Sequence, residues 1–347
     1  MQVKTEAIKV SDQQWQEFTL SNDLGMEVSI LNYGGIITKI LAPDRHKSFE
    51  NVVVSYKNYE DYIANPNFFG ALIGRVAGRI QDASFELDGH TYTLLANDND
   101  NHLHGGAKGF HNAIWDAEAF EGTDEVGVKL THQSPDGEGG YPGNITMEVT
   151  YTLNNKNQLS ISYQGTTDKK TALTATNHSY FNLSGDLKDT MLKHNVTIDS
   201  SKFVELDEEL IPTGEQLDVD GTVYDFRNGR TIEDGTTSDF KQNLVAGNGY
   251  DHYFLFDNTK EEKIVVKESD SGRKLTVTTD QPGFVMYTSN MMAETLSLRE
   301  GKSRKYLGLC LETQASPASL HHEGFPSVVL EKGERYTAKT TFEFGLV

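Results

Sequence analysis

The sequence predicts a large antiparallel all-β fold, a β-sandwich or a related architecture with few short helices, and three observations carry that reading. Apolar residues recur with a period of two. In "MEVTYTL", residues 147 to 153, Met147, Val149, Tyr151 and Leu153 fall on one side and Glu148, Thr150 and Thr152 on the other, as in a strand with one wet face. Turn signals separate such runs at hairpin spacing: Asp88-Gly89, Asp136-Gly137, Asp270-Ser271-Gly272 and Lys332-Gly333. Convincing amphipathic helices are hard to find.

Along the chain the same alternation returns in "QLSISYQG", "HNVTIDS", "KLTVTTD" and "YTAKTTFEFG". The 31 glycines and 15 tyrosines suit many short strands and turns. Neither a break in composition nor a Pro/Ser-rich linker interrupts the 347 residues, so one domain spanning 1–347 is expected. There is no fixed-period repeat, which argues against a propeller.

Composition narrows the classes of partner. Hydrophobic residues make up 37% of the chain, enough for a folded core. With 51 acidic against 31 basic residues the formal charge is −20, which repels nucleic acid and anionic membrane and favours a neutral partner. The single cysteine, Cys310, cannot form an internal disulfide, and in "LGLCLE" it reads as a small buried hydrophobe. The first thirty residues lack an apolar run after a basic start, and no segment approaches the roughly 20 apolar residues that span a bilayer. A cytoplasmic protein in a reducing compartment is expected. Monomer and homodimer both stay open.

Histidine is the side chain whose unperturbed pKa lies closest to neutrality, and its placement marks three stretches. In "NHLHGGAKGF", His102 and His104 are two apart and therefore expected on one side of a strand, followed by a Gly-Gly pair that would let backbone approach a ligand closely. In "NHSYFNLSGD", residues 177 to 186, His178 lies between Asn177 and Tyr180. In "GYDHYFL", Asp251 and His252 lie among aromatics. Glu312, in "LGLCLETQASP", ends an apolar strand-like run and could face a cleft. By spacing alone, His104 and His178 also fit core histidines hydrogen-bonded to backbone.

Other chemistries find less support. The H-x-H pair with a distant third ligand could hold a metal, but neither H-E-x-x-H nor paired C-x-x-C occurs, so no metal is expected. There is no G-x-S-x-G elbow. "GGAKGF" lacks the spacing of a phosphate-cradling loop, and no nucleotide cofactor is expected.

"TNHSYFNLSGD" closely resembles the signature of the aldose 1-epimerase (galactose mutarotase) family, T-N-H, one residue, then Y-F-N-L. "IGRVAGRI", "FELDGHTYTL", "NHLHGGAKGFHNAIW", "GYPGN", "YDFR", "GYDHYFL" and "LCLETQASP" resemble further motifs of that family in its order, from about residue 20 to the end. The resemblance implies the mutarotase β-supersandwich, a cofactor-free open cleft, and interconversion of the α and β anomers of a free hexose such as galactose or glucose.

Motif by motif, the resemblance makes His178 the general acid for the ring oxygen and Glu312 the general base for the anomeric hydroxyl. His104 would hydrogen-bond near the reacting centre, Asp251 would hold ring hydroxyls and Arg79 would contact the sugar. Two positions depart from the pattern: Gly78 stands where many relatives have Asn, and Val285 where a substrate-contacting Gln is common. An acid and a base suffice for ring opening, and acids such as Asp251 are expected to keep the imidazole protonated. Tyr180, Tyr250 or Phe284 could stack on a sugar, although such residues are more often simply core. The alternatives are a non-catalytic carbohydrate-binding protein, a two-carboxylate glycosidase pairing Glu312 with Asp251, and a hexose-6-phosphate 1-epimerase, which would want a basic pocket that no Arg/Lys cluster supplies.

Overall fold

The computed structural model describes all 347 residues. Helix is confined to short 3-10 turns and two short α-helices, Glu233–Thr236 and Lys241–Val245. Three larger antiparallel sheets, of five, nine and six strands, are joined by two-stranded ribbons. The five-stranded sheet is a meander of consecutive strands from Gln2–Val10 to Phe49–Asn51.

The nine-stranded sheet contains the alternating runs read from the sequence. Ile145–Asn154 buries Met147, Val149, Tyr151 and Leu153 and leaves the intervening residues partly exposed. It pairs with Gln158–Thr167, which in turn pairs with the last strand, Arg335–Leu346, so the end of the chain lies in the middle of the sheet. A continuous apolar cluster of 51 buried residues, from Phe18 to Phe344, draws on all three sheets. At roughly 1.5–3 kcal/mol for each large apolar side chain removed from water, that burial is the main stabilising term.

The six-stranded sheet positions the site. Its strands run in the order Tyr180–Phe181, Leu309–Gln314, Gly283–Tyr287, Asp251–Leu255, Lys202–Leu206 and Pro212–Asp218. Leu309–Gln314 is buried at every position. Period-two alternation divides it: Leu309 and Leu311 enter the main core, while Glu312 and Gln314 line a cleft. The same alternation sends Phe254, Phe284 and Met286 into the core and Asp251, Tyr253, Val285 and Tyr287 to the cleft.

Arg75, the first arginine of "IGRVAGRI", is a structural clamp. It is 3% exposed. Its guanidinium donates to Ser134 Oγ and to the carbonyls of Ser134, Pro135, Pro142 and Gly143, all at 2.8–3.0 Å. Burial lowers its pKa to about 10. The "GYPGN" stretch is therefore tied to the strand that leads to the cleft. The glycine pair of "LHGG" corrects an expectation, because its close approach is to its own chain. A Cβ on Gly105 (φ +80°) would lie 2.0 Å from the Gly74 carbonyl oxygen, and one on Gly106 would lie 2.8 Å from the His102 ring.

Arg75→Met would leave three buried carbonyls, of Ser134, Pro142 and Gly143, and the partly exposed one of Pro135 without this donor. At about 1–3 kcal/mol for each unsatisfied buried group, partly relieved by relaxation, the variant should lose about 3 kcal/mol or more. A urea unfolding midpoint unchanged from the parent protein would contradict the clamp.

Candidate active site

The cleft has a volume of about 280 Å³, and its lining includes His178, Glu312, His104, Arg79, Tyr180 and Asp251. These six, drawn from five separate stretches of the sequence, thus meet at one place. Sheet register explains how distant segments converge. Tyr180 pairs with Cys310, Cys310 with Tyr287 and Tyr287 with Asp251, making one row across four strands. Glu312 pairs with Val285 and Val285 with Tyr253, making the next row. The strands carrying Tyr180 and Val285 lie on opposite flanks of the Glu312 strand. His178 precedes the first of these and is held by two backbone bonds, from its own N–H to Ala71 O and from Gly70 N–H to its carbonyl.

At the centre, Nε2 of His178 lies 3.4 Å from Oε1 of Glu312, with side chains only 6% and 3% exposed. Burial lowers the imidazole to about 3. Burial, and then the nearby Asp251, raises the Glu312 carboxyl well above its ordinary value, while Arg79 opposes that rise. Both shifts disfavour the charged forms. Burial therefore favours one proton shared between the two groups, with the uncharged arrangement preferred. This corrects the expectation that Asp251 keeps the imidazole protonated: Asp251 faces Arg79 instead, with Oδ2 3.7 Å from Nη1. On its other side, Nδ1 of His178 lies 3.6 Å from Sγ of Cys310, a buried thiol whose pKa burial pushes up.

His104 is held differently. Its Nδ1 accepts a hydrogen bond from the Gly78 N–H at 3.1 Å. An imidazole that accepts there and is neutral carries its proton on Nε2. Burial, then repulsion by His178 and Arg79, keeps the ring neutral, so His104 presents a fixed donor. The ligand atoms of His104, His178 and Glu312 lie within 4.8 Å of one another, close enough for a shared cation. The chemistry of the donor set does not fit one, because a metal-bound histidine donates its second N–H whereas His104 receives one there.

Arg79 also donates from Nε to Asp98 Oδ2 at 2.7 Å. Two carboxylates thus hold its guanidinium, and no other Lys or Arg lines the cleft. Burial raises the Asp251 carboxyl, against the pull of Arg79.

Several sequence expectations are redirected. Tyr250 and Phe284 are fully buried in the main core and cannot stack on a ligand. His252 does not line the cleft: its Nδ1 accepts from the Asp251 backbone N–H at 3.2 Å and its Nε2 lies 2.9 Å from Oε1 of Gln242 in a buried brace. His102 bonds the Leu95 carbonyl through Nδ1 at 2.7 Å and does not line the cleft. The H-x-H alternation fails because His104 adopts a left-handed backbone (φ 55°).

Gly78 also has a positive φ, and a Cβ there would lie 2.9 Å from Pro317 Cγ, so Pro317 occupies the space of a longer side chain. Phe68, Asp98 and Gln314 were not anticipated. Gln314 lines the cleft and donates to Ala77 O at 3.0 Å, while its Oε1 is an unpartnered acceptor. None of the three sits in a spacing that marks chemistry. Only the run of polar residues in "NDNDN" hints at Asp98.

Comparison with known proteins agrees with this geometry. The family model described as Aldose 1-epimerase matches residues 16–343. Human galactose mutarotase is 38% identical over 335 residues, covering 95% of this chain and 94% of its own. A maltose epimerase of Levilactobacillus brevis is 32% identical over 342 residues and 98% of each chain. The crystal structure of a galactose 1-epimerase from Lactobacillus acidophilus superposes with a TM-score of 0.87 at 30% identity, covering 99% of both chains. On sequence, fold and the convergence of its motif residues in one cleft, the chain belongs to the aldose 1-epimerase family.

Proposed function

We propose that the protein is an aldose 1-epimerase, an isomerase that interconverts the α and β anomers of a free aldose such as D-galactose or D-glucose. The observation that carries this reading is the opposition of His178 and Glu312 at 3.4 Å on a cleft floor otherwise suited to a neutral polyol.

A pyranose placed over the pair lets each group act on its own oxygen. Glu312, as carboxylate, takes the anomeric hydroxyl proton while His178 delivers a proton from Nε2 to the ring oxygen. The C1–O5 bond breaks as a C1 carbonyl forms. Rotation about C1–C2 presents the other face; as O5 attacks it, O5 gives its proton back to His178 and Glu312 returns the other proton to the carbonyl oxygen, which becomes the new anomeric hydroxyl. No proton or electron is gained or lost overall, so a single acid and a single base complete the cycle. Hydrogen bonds from the sugar to both groups favour the ion-paired arrangement that burial alone disfavours. His104, with its proton on Nε2, donates to the sugar, and the Arg79–Asp251 pair grips ring hydroxyls.

The site also separates the alternatives. A hexose 6-phosphate needs an available cation, whereas Arg79 is already held by Asp98 and Asp251. A two-carboxylate glycosidase would need Asp251 free to act with Glu312 across the scissile bond, whereas Asp251 is engaged by Arg79, 3.7 Å away, and Glu312 meets an imidazole. We infer a cytoplasmic setting from the unpaired, buried Cys310. No helix is long and apolar enough to cross a membrane.

Polarimetry of freshly dissolved α-D-galactose, α-D-glucose and maltose tests the activity. The protein should speed relaxation of optical rotation without cleaving maltose and leave the anomers of glucose 6-phosphate largely unaffected. Unaccelerated relaxation of all three sugars would refute the epimerase reading. Glu312→Gln and His178→Asn should each lower kcat by about 10²-fold or more with the fold intact; near-normal turnover in either would remove that residue from its role. Asp98→Asn, which frees Arg79, should raise KM several-fold at little cost to kcat, and an unchanged KM would show that the clamp does not serve sugar binding.

A further inference from the structure

Two aromatic rings flank the His178 imidazole. Tyr180 lies with its ring centroid 5.1 Å away and its plane tilted by 26°; Phe68 lies at 5.9 Å with a tilt of 29°. Both are offset stacking arrangements, and both fall within the roughly 6 Å at which a cation is attracted by a ring face. The Tyr180 hydroxyl donates to the carbonyl of Asn67 at 2.9 Å, so the residue adjoining Phe68 is bonded to the second ring.

Phe68 is held there against its backbone preference. Its φ is +55°, in the left-handed region that bulky side chains avoid. The surrounding bonds fix it: Phe68 N–H donates to Asn65 O, Ala71 N–H to Phe68 O, and Gly70 N–H to the carbonyl of His178 itself. The Asn65 side chain further bonds the Phe69 N–H at 2.8 Å. Strain retained in a loop bonded directly to the proton donor points to a role at that donor. Phe68 also meets His104 edge-on at 4.8 Å and His111 at 5.0 Å, and it lines the cleft.

We propose that Phe68 is a positioning residue for the reaction: with Tyr180 it presents aromatic faces to the His178 ring and stabilises the protonated imidazole that must deliver a proton to the sugar ring oxygen. The inference rests on the acid role given to His178 above. The other groups facing the imidazole are Glu312 and Cys310 from the neighbouring strand, His104 at the end of "NHLH", His111 from a turn that follows it, and Tyr180 two residues along the chain. Glu312 as carboxylate favours the charged ring and burial opposes it, while His104 and His111, both kept neutral by burial, add no charge. Phe68 and Tyr180 add attraction without adding a titrating group at neutral pH.

The direction of the test follows. The active pair carries one transferable proton, so activity falls at high pH as His178 loses it. Removing a π face makes the charged ring less stable, and the basic limb of the kcat profile moves to lower pH. For Phe68→Leu the shift should be about half a pH unit, with kcat several-fold lower on the plateau. Phe68→Tyr, which keeps the face, should restore the limb. Phe68→Met keeps the bulk without the ring and supplies the same comparison if the leucine variant folds poorly. 15N resonances of the His178 imidazole in galactose-saturated protein should show a smaller protonated fraction in the variants that lack the ring, and this readout does not depend on turnover. A raised KM with an unshifted basic limb and an unchanged protonated fraction would overturn the proposal and leave Phe68 as a wall of the cleft. Failure of the parent protein to turn over any free sugar would instead refute the epimerase reading.

Discussion

The contact between His178 and Glu312 sets the demands that the rest of the cleft meets. Two ionisable groups 3.4 Å apart and almost fully buried cannot carry isolated charges without a large desolvation cost. They can share a proton. Because the pair has the same net charge whichever partner holds that proton, the site can be dry and still hold both an acid and a base. The surrounding residues tune where the proton lies: Asp251 favours it on Glu312, Arg79 opposes that, and the flanking rings of Phe68 and Tyr180 favour it on the imidazole.

The two imidazoles near the reaction centre differ through their Nδ1 partners. His104 meets a backbone N–H, which fixes one tautomer and makes it a donor. His178 meets a thiol, a weak group that can donate or accept and so tolerates either protonation state. One histidine is thus locked and the other free to exchange its proton. Arg79 is similarly committed, since Asp98 and Asp251 hold it from two sides and keep the sole cation of the cleft from acting as a phosphate receptor.

The sequence made the scaffold legible where the physics is periodic. "MEVTYTL" and "LCLETQ" each divide into two faces, and the structure places those faces as alternation requires. The six site residues were legible through family motifs, and sheet register explains their meeting. What the pattern could not disclose lies in contacts between segments. His252 and Asp251 are adjacent in sequence yet serve opposite faces, and Tyr250 and Phe284 look like sugar platforms until their complete burial is seen. Phe68 depends on a left-handed turn, and no periodicity predicts that one aromatic in "NPNFFG" leaves the alternation to face a histidine. Gly78 looks like the loss of a polar contact, but the space beside it is filled by Pro317, more than two hundred residues away in the chain.

The central claim is that one pyranose lies over the His178–Glu312 pair with its ring oxygen at the acid and its anomeric oxygen at the base. A high-resolution structure of the protein with bound galactose tests it most directly. The account predicts the ring oxygen within about 2.6–3.2 Å of Nε2 of His178 and the anomeric oxygen within the same reach of the Glu312 carboxylate. A sugar bound with its ring oxygen turned away from His178, or seated outside this cleft, would contradict it.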